Sequence, residues 1–180
     1  MSLIKWCSAM LLTALMLSGC DESGPGMTVT WATLDRSRYI SLESIKLPSG
    51  IVQKRSTAIT FKAAKVEGMA PDNRVIPAWV ELSWLEPVDY VDPKSAPPMA
   101  DQLAEDRRLP IKTQRVEVGS RIPAEVIAQA MESIKQRKPS ELPDKFILVY
   151  FTWFEGQVSL RWELRDRSRV SGGKVIDSGS

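Results

Sequence analysis

The chain has 180 residues, 43% of them apolar and 26% charged, with 24 basic against 22 acidic side chains. That size suits one domain with short appendages, and the composition excludes both a disordered chain and a multi-span membrane protein. So even a charge balance excludes a nucleic-acid binder that relies on phosphate neutralisation, and the lack of histidine removes Ser-His-Asp and Cys-His catalysis and histidine metal sites.

Lys5 is the lone basic residue of a short leading segment, and Trp6 to Leu17 form an apolar run of about a dozen residues. A bilayer core needs roughly 20 residues to cross, so the run reads as a secretory signal. It closes on Leu17-Ser18-Gly19-Cys20, which resembles the bacterial lipobox. The resemblance implies cleavage between Gly19 and Cys20, then diacylglycerol on the Cys20 sulfur and an acyl chain, such as palmitate, on its amine. Residues 1–19 are then a signal peptide and 20–27 a lipidated tether, with Glu22 to Gly26 a flexible spacer. No other cofactor and no metal is expected. The place implied is the periplasmic face of a bacterial membrane. Asp21 favours the inner membrane, although some lineages read other positions and send such proteins to the outer one. Cys7 leaves with the signal, so neither a disulfide nor a free thiol remains.

The body, residues 28–165, reads as one globular domain. Residues 28–34 are β-branched and aromatic, a first strand. Ser56 to Val66 gives a second, with Ile59 and Phe61 on one face. Trp79 to Leu85 alternates cleanly, with Val80, Leu82 and Trp84 against Glu81 and Ser83. Ile111 to Val118 is a weaker strand. A helix spans Pro123 to Arg137, with proline expected at the first helical position and the stripe Val126, Ile127, Ala130, Met131, Ile134 facing a sheet. Lys145 to Phe154 is apolar on both faces, as a central strand should be. Glu155-Gly156 reads as a two-residue turn, and Val158 to Leu164 returns with one wet face of Ser159, Arg161, Glu163 and Arg165. Residues 166–180 read as a mobile tail. Strands, one helix, then a hairpin give an α+β domain, a mainly antiparallel sheet with one packed helix, the alternative being a β-sandwich.

Pro87 to Pro110 is the least ordinary stretch, long, proline-bearing and acidic. Such connections are either solvated excursions or binding loops. Asp89, Tyr90, Asp92 and Asp101 from it, with Arg161 on the wet strand face, are the residues expected to meet a partner. Trp31, Trp79, Trp84, Trp153 and Trp162 lie within strand patterns and are expected in the core rather than on a glycan platform. There is no nucleophile elbow, phosphate loop or metal-ligand cluster. Glu81, Glu86, Glu155 and Glu163 could supply an acid/base pair only if two of them met. A non-enzymatic protein is expected.

The run Ile76-Pro77-Ala78-Trp79-Val80-Glu81-Leu82-Ser83-Trp84, then Arg121-Ile122-Pro123 opening a helix, then the Phe146–Leu164 hairpin, resembles small uncharacterised bacterial lipoproteins. Some of those are encoded beside type VI secretion phospholipase effectors and act as their immunity proteins. The resemblance implies a lipid-anchored periplasmic binding protein that blocks a phospholipase-type toxin. The alternative is a structural or scaffolding envelope lipoprotein.

Overall fold

Lys145–Phe154 and Gln157–Asp166 set the architecture as a long hairpin around Glu155-Gly156. Both turn residues take positive φ, 48° and 73°, the left-handed geometry whose twist suits antiparallel strands. A two-residue loop leaves the register no slack. Phe154 faces Gln157, so Tyr150 faces Arg161 and Leu148 faces Glu163.

The computed structural model describes residues 24–69, 74–89, 96–138, 141–167 and 173–180. The expected signal peptide, Gly19, Cys20, Asp21, Tyr90 and Asp92 lie outside them. In chain order the elements are β1 (Met27–Thr33), β2 (Ile40–Lys46), β3 (Val52–Ile59), β4 (Lys65–Met69), β5 (Trp79–Leu85), α1 (Met99–Asp106), β6 (Lys112–Glu117), α2 (Ala124–Gln136), β7 (Lys145–Phe154), β8 (Gln157–Asp166) and β9 (Lys174–Gly179). A five-stranded sheet runs β4-β1-β7-β8-β9 and a four-stranded one β3-β2-β5-β6. Every pairing is antiparallel except β1 with β7. The fold is α+β with mainly antiparallel sheets. No helix among the described residues is long and apolar enough to cross a membrane.

The two sheets share one core, so the sandwich arrangement describes how they stack. Ile147, Val149, Phe151 and Trp153 of β7 and Val158, Leu160, Trp162 and Leu164 of β8 are buried on one face of the first sheet, and Leu42, Ile45, Leu82 and Trp84 of the second join the same cluster. Trp84 meets Trp153 edge-on at 5.9 Å, and Trp31 stacks on Phe151 at 5.1 Å. Rings of this size each remove roughly 150–250 Å² from water, on the order of 4–6 kcal/mol before entropy is counted. The tryptophans are core residues as expected, apart from Trp79, which is half-buried under the Arg115 guanidinium.

α2 lies along β7, and Val126 and Ala130 join the core. Ile134 is buried, whereas Met131 stays half-exposed, because the stripe that faces the sheet runs Val126, Ala130, Ile134. Pro123 is the cap and not the first helical residue: its ψ of 144° is extended, and the helix begins at Ala124.

Both seams between the sheets are tied by side chains. On one, the β4 residue Glu67 accepts the Trp31 indole N–H at 2.6 Å and pairs with Arg55 of β3 at 3.1 Å. On the other, the Gln114 amide of β6 donates to the Val158 carbonyl at 2.9 Å and accepts the Val158 N–H at 2.8 Å.

Four further expectations change. Ser56–Val66 is two strands, not one: β3 ends at Ile59, the chain reverses around a Thr60–Ala63 bridge, and Phe61 is exposed at the reversal with Arg36 over its ring at 4.6 Å. β2 stands where no strand is expected. A bulge between Leu42 and Ser44 breaks the alternation that would have revealed it. The tail is not free, since β9 pairs with β8 and Gly179 seats against the Trp162 indole, where a Cβ would come within 2.8 Å of the ring. At the other end the packed body includes residues before 28. Gly24 and Gly26 are buried, and Gly26 donates to the Arg74 carbonyl at 2.7 Å, so the spacer loses its last residues to the fold.

Candidate functional site

The β5–β6 connection is anchored to the body at both ends of its described length. Asp35 starts the docking ledge. Its Oδ1 accepts the Ser37 backbone N–H at 2.8 Å and the Ser37 hydroxyl at 2.7 Å, which lowers its pKa and fixes the local turn. The ordered Ser37 carbonyl then accepts the Asp89 N–H at 2.8 Å, beside a bridge between Arg38 and Val88. The far end is held by Tyr39, whose hydroxyl donates to Asp106 Oδ2 at 3.1 Å. Burial first, then the Asp106 carboxylate, push the Tyr39 hydroxyl up to about 12, with Asp89 adding to the effect. Asp89 and Asp106 therefore converge on one phenol.

Between those anchors lies α1. Its residues, Met-Ala-Asp-Gln-Leu-Ala-Glu-Asp, are mostly good helix formers. Pro98 precedes them with an extended ψ of 143°, and Asp101 in the first turn suits the helix dipole. The helix is hidden in the sequence because two prolines open it and no apolar stripe runs through it.

The helix is seated the wrong way round for a core element. None of its residues is buried. Gln102 and Asp106 turn toward the body, Gln102 donating to the Pro97 carbonyl at 2.6 Å, over a small cleft of about 60 Å³ shared with Tyr39, Val88 and Leu109. Met99 is 76% exposed and Leu103 50%, one turn apart. Asp101 and Glu105, also one turn apart, are exposed as well.

Arg161 belongs to a different surface. It stands on β8 with its guanidinium 4.1 Å above the Tyr150 ring, on the face of the first sheet turned away from the core. It is paired to Glu163, the one carboxylate among the described residues that is buried. Glu163 also accepts the Tyr150 hydroxyl at 2.8 Å and Arg165 Nε at 2.7 Å. Burial alone would raise its pKa. The hydrogen bonds from Arg165, Tyr150 and Arg161 outweigh burial and hold it lowered. Burial and the same carboxylate raise the Tyr150 pKa. Glu163 is thus a fixed anion whose bonding capacity is taken up, a poor proton donor at neutral pH and a firm mount for Tyr150 and two arginines.

The expected partner residues therefore divide. Asp89 and Asp101 share the β5–β6 connection on the second sheet, and Arg161 lies on the first. The four glutamates considered for acid/base work divide as well. Glu81 pairs with Lys46 at 3.5 Å and Glu86 with Lys112 at 2.7 Å, while Glu163 is held by its arginines. The Glu155-Gly156 turn abuts the Glu86–Lys112 pair, so a cation stands in that corner too.

Tyr150 and Glu163 were missed in the sequence as parts of one cluster, although the signal was present. A two-residue turn at 155–156 sets Tyr150 opposite Arg161 and diagonal to Glu163. No protein-family model, curated protein or solved structure matches the chain.

Proposed function

We propose that this chain is a lipid-anchored periplasmic binding protein that protects its cell by occluding a phospholipase-type toxin, and that it has no catalytic activity of its own. One observation carries the reading: α1 turns Gln102 and Asp106 to the body and leaves Met99 and Leu103 in water beside Asp101 and Glu105. A helix so mounted on a connection tied down at Asp89 and Asp106 gains nothing for the fold from Met99 and Leu103. Those side chains suit an apolar cleft in another protein, and Asp101 and Glu105 suit a basic rim around it. A plug of this kind buries about 1,200–2,000 Å² in total, which a domain of this size supplies. The lipobox-like Leu17-Ser18-Gly19-Cys20 supports the location, and the likeness to lipoproteins encoded beside type VI secretion phospholipases supports the class of partner.

The test is co-expression with a periplasmically directed phospholipase of the same genome. Rescue of growth, and a one-to-one complex on a sizing column, are expected. Met99→Asp with Leu103→Asp should abolish both while leaving the thermal melt of the free protein in place. Equal sensitivity of cells with and without the gene to every such phospholipase would discard the immunity reading in favour of an envelope scaffold.

A further inference from the structure

At the end of the first sheet where β1 starts, β4 stops and β7 starts, Pro25 and Gly26 line a cleft of about 310 Å³. Its walls include the apolar Met69, Leu142 and Phe146 and two arginines, Arg74 and Arg167, with no carboxylate among the described residues that line it. That volume is at the lower end of the range for ligand sites. Arg167 is held in place by stacking, its guanidinium carbon 4.6 Å from the Phe146 ring centre, while its backbone N–H donates to the Asp144 carbonyl at 2.7 Å. Arg74 donates to the Pro25 carbonyl at 3.4 Å, and its side chain lies along Gly26, whose φ of 65° favours glycine.

Gly24 and Pro25, four and five residues after Cys20, lie beside this cleft. Gly24 is packed so closely that a Cβ on it would lie 2.3 Å from the Arg74 carbonyl oxygen. From Gly24 back to Cys20 is four residues, which reach at most about 14 Å when extended. An acylated Cys20 therefore holds this end, and not the Glu155-Gly156 end, against the bilayer surface. Leu142 stands 69% exposed at the mouth of the cleft, an ill fit for water and a good one for the lipid interface.

We propose that the cleft takes the phosphate of an anionic phospholipid headgroup, with Arg167 and Arg74 on the phosphate and Leu142, Met69 and Phe146 against the glycerol and first methylenes. Guanidinium forks match phosphate oxygens in geometry and charge, and an apolar floor beside them matches what a lipid offers below its phosphate. The orientation rests on the lipid-anchored reading above.

The test uses the chain from residue 20 with Cys20→Ser, which keeps every described element and carries no acyl group. Its binding is measured to vesicles of phosphatidylglycerol and of phosphatidylcholine, and to inorganic phosphate by hydrogen exchange at residues 142–147. Binding to phosphatidylglycerol is expected to be at least tenfold tighter than to phosphatidylcholine and to weaken with salt. Arg167→Gln should lower it at least fivefold, Arg167→Lys should keep most of it, and Lys62→Gln at the opposite end should leave it unchanged. Equal binding to both lipids, binding to neither, indifference to Arg167→Gln, or a response to inorganic phosphate alone each overturns the proposal. A failed lipid anchor shows itself separately, as unchanged membrane fractionation of the full chain with Cys20→Ala.

Discussion

Gln114 closes on Val158 as a neighbouring strand would, donating to its carbonyl and accepting its N–H with one side-chain amide. β9 pairs with β8 only from Trp162 onward, so Val158 lies on a length of strand edge that β9 does not cover. The amide supplies what the missing strand would have supplied, and joins the two sheets in doing so.

Gln114→Ala should therefore cost about 2 kcal/mol, two hydrogen bonds at roughly 1 kcal/mol each. Chemical denaturation gives the loss. Hydrogen exchange should locate it at the Val158 amide, with the amides of β1 unmoved. A midpoint shift with no change at Val158 would place the effect elsewhere.

Glu163 predicts an acid limb in the stability profile. Its pKa is lowered in the fold, so its contribution is fully present above the ordinary value of 4.5 and drains away as pH falls through the lowered one. Glu163→Gln should flatten that limb. Glu163→Ala at neutral pH should cost about 3 kcal/mol, at the lower edge for a broken buried pair because Arg161 keeps half its surface in water. An acid limb unchanged in the Gln variant would refute the assignment.

Tyr39 predicts the opposite behaviour in alkali. Its pKa rises to about 12, so its contribution is complete below pH 10 and is lost as pH climbs from 10 toward 12. Phenolate absorbance should show late titration from both Tyr39 and Tyr150, and Tyr39→Phe should remove the Tyr39 share of it. Asp106→Asn should bring it earlier. If Tyr39→Phe leaves the late absorbance undiminished, or Asp106→Asn leaves it unmoved, Asp106 does not hold this phenol.

α2 should respond unequally to truncation along its stripe. Ile134→Ala is expected to cost about 2–4 kcal/mol, as for a buried aliphatic side chain that leaves a cavity. Met131→Ala, half-exposed, should cost about 1 kcal/mol. Equal shifts in the denaturation midpoint would mean the helix is rotated from the register described.

What was legible in the sequence follows from how local each signal is. β5 and the helix declare themselves through unbroken periodicity, β7 through an apolar run on both faces, and the hairpin through a single Glu-Gly pair. β2 hides because its bulge shifts Ile45 out of step with Ile40 and Leu42. The β3–β4 reversal hides because Phe61-Lys62 turns the chain without glycine, proline, asparagine or aspartate. β9 hides for another reason. Its exposed residues show no apolar face, and only Gly179 on Trp162 gives it a place. At the surface, the acidic and aromatic content of 87–110 was plain, but not that α1 turns Gln102 and Asp106 to the body. That depends on Tyr39 reaching Asp106 across a sequence gap of 67 residues.

The parallel pairing of β1 with β7 carries a consequence for how the chain reaches this state. Thr33 and Trp153 meet across 120 positions, and β1 lies between β4 and β7 in the sheet. The strand made first is thus among the last to be completed. Until residues near 154 have been synthesised, β1 has β4 alone, and its other edge is open to any extended segment nearby. Long-range pairing of this kind slows folding, and here it defers the central seam of the sheet to the final stretch of chain. Any product ending before Lys145 lacks β7, β8 and β9 together, leaving Trp31 without Phe151 to stack on. Such fragments should be sticky and protease-sensitive rather than partly folded, and the domain should form in one late cooperative step.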